Sequence, residues 1–342
     1  MSKNNHSLAR IYSFAISMTL LLLLFVGLTQ GLQAFITVLI LAGLEITFSF
    51  DNAIINAKIL QRMSNLWQTL FMTVGIFIAV FVVRVILPII IVSFTSGTSF
   101  SQVVNLVLND TDAYTHKLEH AHPLIATFGG IFLLMIFLDF IFEHRKIKWL
   151  VSLETLLARV GKIENASITL ALSALLGTTF WFVGPEDRMR VLVAGLVGLM
   201  TYLLINALDS IASPASDTNT VAKLGVVGFL YLELIDASFS LDGVIGAFAI
   251  TKSVLLIAVG LGIGALFVRS MTVHMLRRGV LARYVYLEHG AHYAIGFLAL
   301  FMLISIRQEV PTYITGGVGI VVIASALVHS HKVLSQHKNL TN

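Results

Sequence analysis

The sequence predicts an all-α, polytopic membrane protein of about ten transmembrane helices, arranged as an inverted repeat of about five plus five. The first indication is the composition, with 57% hydrophobic residues, 12% charged residues and a mean hydropathy of +0.91. Soluble domains carry roughly a quarter charged residues. The second indication is a series of long apolar runs, and the third is an acidic motif that occurs once in each half of the chain.

The apolar runs have about the 20-residue length that crosses a bilayer. No small-x-small cleavage pattern follows the first run, so it is expected to be a retained helix rather than a signal peptide. The absence of cysteine excludes disulfides and thiolate metal sites. The ten predicted spans cover residues 10–29, 31–57, 66–94, 122–142, 166–183, 190–212, 219–249, 253–275, 290–306 and 312–330.

Lysine and arginine are distributed unevenly between the two sides of these spans. With the N-terminus placed in the cytoplasm, 15 of the 22 basic residues lie on the cytoplasmic side and five on the outer side. Cytoplasmic loops are enriched in positive charge, so both termini are expected inside. No basic stripe with interleaved aromatic residues indicates a nucleic-acid partner.

The spans and charges divide the chain into four parts. Residues 1–142 form the first membrane half, with spans 1 to 4. Residues 143–165 are basic and partly amphipathic, which predicts a cytoplasmic linker on the inner membrane surface. Residues 166–331 hold the remaining spans, and residues 332–342 form a cytoplasmic tail.

The acidic motif has nearly the same pattern in its two copies. The first copy reads Glu45-Ile-Thr-Phe-Ser-Phe-Asp51-Asn, and the second reads Asp236-Ala-Ser-Phe-Ser-Leu-Asp242-Gly. They fall in the second and seventh predicted spans. An odd number of spans separates them, so the two copies are expected to cross the membrane in opposite directions.

Further matches follow the motif in the same order in both halves. The next span contains Arg84 in the first half and Arg269 in the second, and a Glu-His pair at Glu119 or Glu288 precedes the span after that. An ordered recurrence of this kind is typical of the inverted repeats of secondary transporters.

The acids within the predicted spans need compensation. Each ionised carboxylate at mid-membrane costs about 3 kcal/mol on insertion scales. Arg84 and Arg269 are candidate counter-ions or gating residues, but two arginines cannot neutralise five acids. The excess predicts a functional acidic site. The acids are Glu45, Asp51, Glu233, Asp236 and Asp242.

The spacing within one motif limits how its acids can cooperate. Six residues along an α-helix leave the two acids about 120° apart around the axis and about 9 Å apart along it. Either the helix unwinds near Phe-Ser, or the helices of Asp51 and Asp242 face each other. In the second case Asp51 and Asp242 form the centre of the site. Glu45 and Asp236 then act as a second pair, as gates or as proton carriers.

Carboxylates with neutral oxygens and no thiols form a hard site, which suits magnesium, calcium or manganese. Asn52 is a predicted ligand, and Ser49, Ser240 and Asn56 are additional candidates. Like charges left together by a departing metal favour proton uptake, so metal exit is hypothesised to be coupled to proton entry.

A histidine-rich cluster precedes the fourth predicted span, at the outer mouth. It is either a metal-capture site or a solvated loop, and both readings stay open. Imidazole and carboxylate are common metal ligands, which is the reason to consider the first reading. The cluster consists of His116, Glu119, His120 and His122.

The paired signatures Glu-x-x-x-Ser-x-Asp-Asn and Asp-x-x-x-Ser-x-Asp resemble those of the TerC family of integral membrane proteins, named for tellurium resistance. The resemblance covers most of the chain and is closest to a bacterial branch of that family. It implies manganese export across a bacterial cytoplasmic (inner) membrane, with Glu45, Asp51, Asn52, Asp236 and Asp242 at the site.

The second motif departs from the better-known members of that family. They carry Asp-Ser-Ile-Pro-Ala, whereas this chain reads Asp242-Gly243-Val-Ile-Gly-Ala. A hydroxyl ligand and a proline are therefore missing from this copy, and Gly243 supplies no side-chain oxygen.

The sequence therefore favours a secondary transporter that exports a divalent metal cation, with manganese preferred, by alternating access. The bilayer and the metal substrate, with protons as a possible co-substrate, are the expected partners, and no prosthetic group is expected. No nucleotide-binding Gly-x-x-x-x-Gly-Lys motif indicates an ATPase, and no enzymatic activity is expected. Three alternatives stay open: an intramembrane aspartyl-type hydrolase, an exporter of an organic cation or amino acid, and a stress-response membrane scaffold.

Overall fold

The computed structural model describes residues 8–212, 225–308 and 310–340, with the side chains of residues 11–208, 225–240, 243–308, 310–311 and 313–335. Throughout these residues the chain is helical and contains no strand, which confirms the all-α class. The elements are α1 (Leu8–Phe48), α2 (Phe50–Leu60), α3 (Asn65–Met72), α4 (Val74–Phe77), a π-helix (Ile78–Ile86), α5 (Leu87–Ser96), α6 (Phe100–Asn109), α7 (Thr111–Phe142), α8 (Val151–Val160), α9 (Ala166–Phe182), α10 (Arg188–Ala212), α11 (Gly225–Phe248), α12 (Val254–Arg278), α13 (Val280–Arg283), α14 (Leu287–Ser305) and α15 (Thr312–Leu340).

Seven stretches of the described chain are long and apolar enough to cross a membrane, as expected for a polytopic membrane protein. Two other predicted spans are helical but differ from these seven in length or in charge. α9 is apolar with only 17 residues, and α11 has 24 residues but carries three acids. The seven are Ile11–Phe48, Asn65–Ser96, Thr111–Phe142, Arg188–Leu208, Val254–Arg278, Leu287–Ser305 and Tyr313–Ser335.

The first of these stretches is a helical hairpin. α1 breaks at Gly31, whose φ of +84° ends regular helix and is readily adopted only by glycine. Beyond the break the chain turns back, since Phe35 lies 3.5 Å from the position of a Cβ at Gly27. Tyr12 packs on two rings in the C-terminal half of α12, whereas Leu41 packs on its N-terminal half. The break lies at the first residue of the second predicted span, 31–57.

The largest hydrophobic core is built around α7. From Ile125 onward nearly all of its side chains are buried, and α10 and α14 pack along it. α15 covers α14, and α12 packs against α1 and α2. The acidic helices α2 and α11 are therefore enclosed by other helices.

The third predicted span is irregular rather than one straight helix. It starts as α3, breaks at Thr73 (φ −117°, ψ −75°), and continues through α4 and the π-helix into α5. π-helical turns are rare and are frequent at functional sites. Arg84 lies in this π-helix and donates from Nη1 to the carbonyl of Ala79, at 2.6 Å. The irregular backbone therefore lies where the arginine of the first half is held.

The predicted linker contains α8 and is fixed to the membrane half by one buried acid. Oε1 of Glu154 accepts hydrogen bonds from the backbone of Trp149 (3.1 Å) and Leu150 (3.0 Å), and from the hydroxyl of Tyr293 (3.3 Å). His289 lies 3.4 Å from the other oxygen of Glu154. These contacts join α8 to α14.

Two glycines allow helices to approach the acidic residues closely. A Cβ at Gly264 of α12 would lie 2.4 Å from Cβ and Cγ of Glu45. A Cβ at Gly75 of α4 would lie 2.6 Å from Oε1 of Glu233 and 2.3 Å from Nη1 of Arg269. Small residues at helix contacts are typical of membrane proteins because they let backbones come close.

Gly264→Ala is therefore expected to lower stability by about 1–3 kcal/mol, the usual cost of overpacking. The added methyl group pushes α12 away from α1 at Glu45. Gly43→Ala is the control, since a Cβ there meets nothing within 4 Å. The melting temperature in detergent reports the difference. Equal melting temperatures for the two variants would contradict the close contact.

Candidate acidic site between α2 and α11

The first acidic motif is broken between its two acids. α1 ends at Phe48 and α2 begins at Phe50, with Ser49 outside helical geometry (φ −97°, ψ 19°). Glu45 and Asp51 thereby line the same cavity of about 90 Å³. The interruption is a kink rather than an unwound segment, because Ser49 N still donates to the carbonyl of Glu45 at 2.9 Å and Ala53 N to the carbonyl of Ser49 at 3.2 Å. The two arrangements expected from the spacing therefore both stay predictions. In the second copy α11 runs without a break from Gly225 to Phe248.

Glu45 forms a buried ion pair with Arg84. Nη2 of Arg84 contacts Oε1 of Glu45, and the two side chains are 1% and 5% exposed. The hydroxyl of Ser49 donates to the same oxygen at 3.0 Å. Arg84 thus compensates one acid of the first motif. Asp51, which is also buried, accepts a hydrogen bond from the backbone of Asn52 at 2.8 Å.

Arg269 compensates two acids of the second half. Its Nη2 donates to both oxygens of Glu233, at 3.0 and 3.1 Å, and lies 3.6 Å from Oδ2 of Asp236. Its Nη1 donates to the carbonyl of Phe71 at 2.7 Å, and its guanidinium lies 4.0 Å from the centre of the Phe71 ring. The break after α3 leaves that carbonyl available. The two arginines therefore engage three of the predicted acids.

α2 and α11 pack side by side in opposite directions. At one end, Ser49 and Phe239 line the cavity beside Glu45. At the other end, Ile59 and Val227 line a second cavity, of about 240 Å³. The start of α2 therefore lies near the C-terminal part of α11, and the end of α2 lies near the start of α11.

Two contacts between these helices are equivalent under the predicted repeat. Asn52 of the first motif donates from Nδ2 to Oδ1 of Asp236, the first acid of the second motif, at 2.7 Å. Gly243 has the position of Asn52 in the second motif, and a Cβ there would lie 3.4 Å from Oε2 of Glu45. Each motif thus places its eighth residue against the first acid of the other.

Several side-chain oxygens near this contact are buried without a hydrogen-bond partner. Buried polar atoms are normally satisfied, so such a group calls for an explanation. One of them, Oδ2 of Asp236, lies at ion-pair distance from Arg269 but makes no hydrogen bond. The others belong to neutral side chains. The four are Oδ1 of Asn52, Oδ1 of Asn56, Oδ2 of Asp236 and Oγ of Ser240.

The side chain of Asp242 lies outside the described residues, so the predicted Asp51–Asp242 centre stays a prediction. Among the side chains that are described, no group of three or more His, Asp and Glu residues is placed to hold a metal ion. This applies to the outer-mouth cluster as well. His116, Glu119 and His120 line one cavity of about 480 Å³, while Glu119 and His122 line another of about 540 Å³.

The cavity beside Glu45 adjoins the larger cavity that contains His122. The two share lining residues, among them Leu44, Phe48 and Gly246. By the predicted orientation the larger cavity lies on the outer side of the membrane. The two cavities therefore meet at these shared residues, and Glu45 and Asp51 line the smaller one.

The opposite cavity is crossed by an ion-pair network that sequence reasoning missed. Glu288, at the start of α14, lies 2.8 Å from Nζ of Lys58 at the end of α2 and 3.3 Å from Nη1 of Arg145. One signal was available, because Lys58 follows Asp51 by two helical turns and so shares its face of the helix. The partner was not readable from the sequence, since Glu288 lies in the other half.

Fold and site together define a polytopic helical membrane protein with a buried, partly ion-paired acidic site. Residues 50–338 match the model of the family described as "Protein of unknown function (DUF475)". That match covers most of the chain, and the protein belongs to the DUF475 family. No curated protein and no solved structure matches it.

Arg84→Met is expected to destabilise the protein by about 3–5 kcal/mol, because Glu45 is left buried without its counter-charge. The double variant Glu45→Gln/Arg84→Met should recover most of that loss. Arg190→Met is a control, since its ion pair with Asp187 is exposed and worth about 0–1 kcal/mol. Thermal unfolding in detergent measures all three. A double variant no more stable than Arg84→Met would argue against the pairing.

Leu44→Cys should react with a membrane-impermeant maleimide added from outside, because Leu44 lines the two adjoining cavities. Ile54→Cys, at a fully buried position of α2, should stay unlabelled. The natural chain has no cysteine, so each variant reports on one site. If Leu44→Cys were labelled only by maleimide added from the cytoplasmic side, the two cavities would open to the cytoplasm, and the proposed outward access would be wrong.

Proposed function

We propose that this protein is a secondary transporter that exports a divalent metal cation, with manganese favoured, through the acidic site between α2 and α11. One observation carries the proposal. Glu45 and Asp51 are both buried and line one cavity beside the contact of these helices, so that carboxylate oxygens from two acids share that cavity. A hard cation is the ligand that such oxygens prefer.

The charges around the site support a cation as the substrate. Glu45, Asp51, Glu233 and Asp236 carry four negative charges when ionised, whereas Arg84 and Arg269 carry two positive charges. A bound divalent cation would offset the two remaining negative charges. The cavity beside Glu45, at about 90 Å³, also favours an inorganic ion over an organic cation or amino acid.

An architecture of about ten spans in an inverted five-plus-five repeat is part of the proposal. The equivalent contacts Asn52–Asp236 and Gly243–Glu45 support it, as does the antiparallel packing of α2 and α11. So does the arrangement of the arginines, since each pairs with an acid of its own half. α7 and α14, the proposed counterparts in the two halves, also pack against each other.

The membrane assignment rests on the sequence. The distribution of lysine and arginine supports a cytoplasmic membrane with both termini inside. The paired motifs support a relationship to the TerC family and thereby a bacterial inner membrane and manganese. Transport is preferred to intramembrane hydrolysis because a two-carboxylate mechanism leaves Glu45, Asp236 and the two arginines without a role.

The transport cycle follows from the two cavities. With the cavity beside Glu45 joined to the outer cavity, the Lys58–Glu288–Arg145 network would close the inner one. Rocking of the two halves would open that network and close the outer cavity around the ion. Arg84 and Arg269 serve as internal counter-ions when the ion has left, and protons are the proposed second substrate.

Uptake and efflux assays in proteoliposomes test the proposal with manganese, magnesium, calcium, zinc and cobalt. Asp51→Asn and Asp242→Asn should each reduce metal flux by about tenfold or more, since each removes a charged ligand. Asp187→Asn, at an exposed acid outside the site, should transport at the normal rate. Normal flux in both site variants would refute the proposed site.

A further inference from the structure

Asn52 and Gly243 occupy the same position in the two motifs but treat the facing carboxylate differently. Asn52 holds Asp236 with a hydrogen bond of 2.7 Å. Gly243 approaches Oε2 of Glu45 closely, as the 3.4 Å distance of its Cβ position indicates, but offers no side-chain donor. Asp236 is thus held from the other half by the side chain of Asn52, whereas at the equivalent position Glu45 faces Gly243.

The two oxygens of Glu45 have different surroundings. Oε1 is engaged by Arg84 and by the hydroxyl of Ser49. Oε2 is the atom that faces Gly243, beside the cavity of about 90 Å³ that Glu45, Asp51 and Gly243 all line. Oε1 therefore fixes the carboxylate of Glu45, and Oε2 is left to bind an ion or water in the cavity.

The cavity has room for water as well as for an ion. A cavity of about 90 Å³ is several times the roughly 10–15 Å³ that one water molecule needs on the same measure, so it has room for more than one water molecule. Most of the remaining lining is apolar, including Leu41, Phe239 and Leu261. The polar side chains of the lining are the two carboxylates and the hydroxyl-bearing Thr47, Ser49 and Thr315, which are the side-chain partners that water in this space would find.

We propose that Gly243 determines the specificity of the site by letting a divalent cation bind to Glu45 and Asp51 while it keeps part of its water shell. This inference rests on the cation transport proposed above and names the class of substrate. Magnesium-type ions bind through one or two carboxylates and keep several waters, whereas calcium takes about six to eight oxygen ligands. The site is accordingly expected to select small, octahedral, strongly hydrated cations against calcium.

Substitutions at Gly243 separate this role from simple packing. Gly243→Asn copies Asn52 into the second motif, so its amide would occupy the space of the water and donate to Glu45. Gly243→Ala is the matched control, because a Cβ at 3.4 Å from Glu45 makes an ordinary contact and adds no polar group. Gly243→Ser, with a smaller side chain, serves if the asparagine variant does not fold.

The experiment uses manganese as the probe, with the full-length protein in detergent. Calorimetry gives the affinity, and electron–nuclear double resonance of the water protons reports the waters that remain on the bound ion. The natural protein should hold manganese with several waters. Gly243→Asn should remove at least one of them and weaken binding by about tenfold or more. Gly243→Ala should change neither quantity, and Gly243→Ser should shift both in the same direction as Gly243→Asn.

Three results would overturn the inference. Manganese bound without water in the natural protein would remove its basis. Unchanged hydration and affinity in Gly243→Asn, with binding still lost in Asp51→Asn, would leave the transport proposal standing and refute the role of Gly243. Absence of any manganese, magnesium or calcium binding to the natural protein would refute both proposals together.

Discussion

The structure depends on the compensation of carboxylates that are buried at the depth of the membrane. An isolated carboxylate in such surroundings is costly, and a buried ion pair offsets that cost only when its geometry is good and the remaining donors are satisfied. The protein meets this condition in part, because two arginines also donate from Nη1 to backbone carbonyls, those of Ala79 and Phe71, whereas Nε of each arginine is buried without a hydrogen-bond partner. Both carbonyls lie where the third span departs from regular α-helix. The irregular backbone and the arginines therefore form one arrangement.

Close helix packing supports the same arrangement from outside. Gly264 lets α12 lie directly against Glu45, and Gly75 lets α4 lie against Glu233 and Arg269. In each case the glycine belongs to one half of the chain and the acid to the other. The acids are thus packed by residues of the opposite half and neutralised by an arginine of their own. A movement of one half relative to the other would change the packing contacts and keep the ion pairs, which is consistent with the proposed rocking mechanism.

Much of this could be predicted from the sequence, because a bilayer imposes strong rules on composition and length. The helical class and most helix positions follow from apolar runs, and the break at Gly31 falls at the start of the second predicted span. The pairing of Arg84 and Arg269 with intramembrane acids was considered from charge alone. The particular partners were not readable: Glu233, rather than Asp236, makes the closest contacts with Arg269, because these depend on side-chain rotation around α11.

Other features depend on tertiary contacts that no local pattern encodes. The anchoring of α8 through Glu154 and the Lys58–Glu288–Arg145 network join residues far apart in the sequence. The π-helix carries Arg84, whose partner Glu45 lies in another helix. The difference between Asn52 and Gly243 was visible as a change of residue. Its structural consequence depends on the antiparallel packing of α2 and α11, which places Asn52 against Asp236 and Gly243 against Glu45.

The most direct measurement is the position of manganese in an experimental structure, located by its anomalous scattering. We expect an anomalous manganese peak within coordination distance of carboxylate oxygens at the start of α2, beside the contact between α2 and α11. The same peak should be absent from crystals of Asp51→Asn grown with the same metal. Manganese found only at the outer histidines, or bound identically in both crystals, would contradict the central claim that the paired acidic motifs form a cation site.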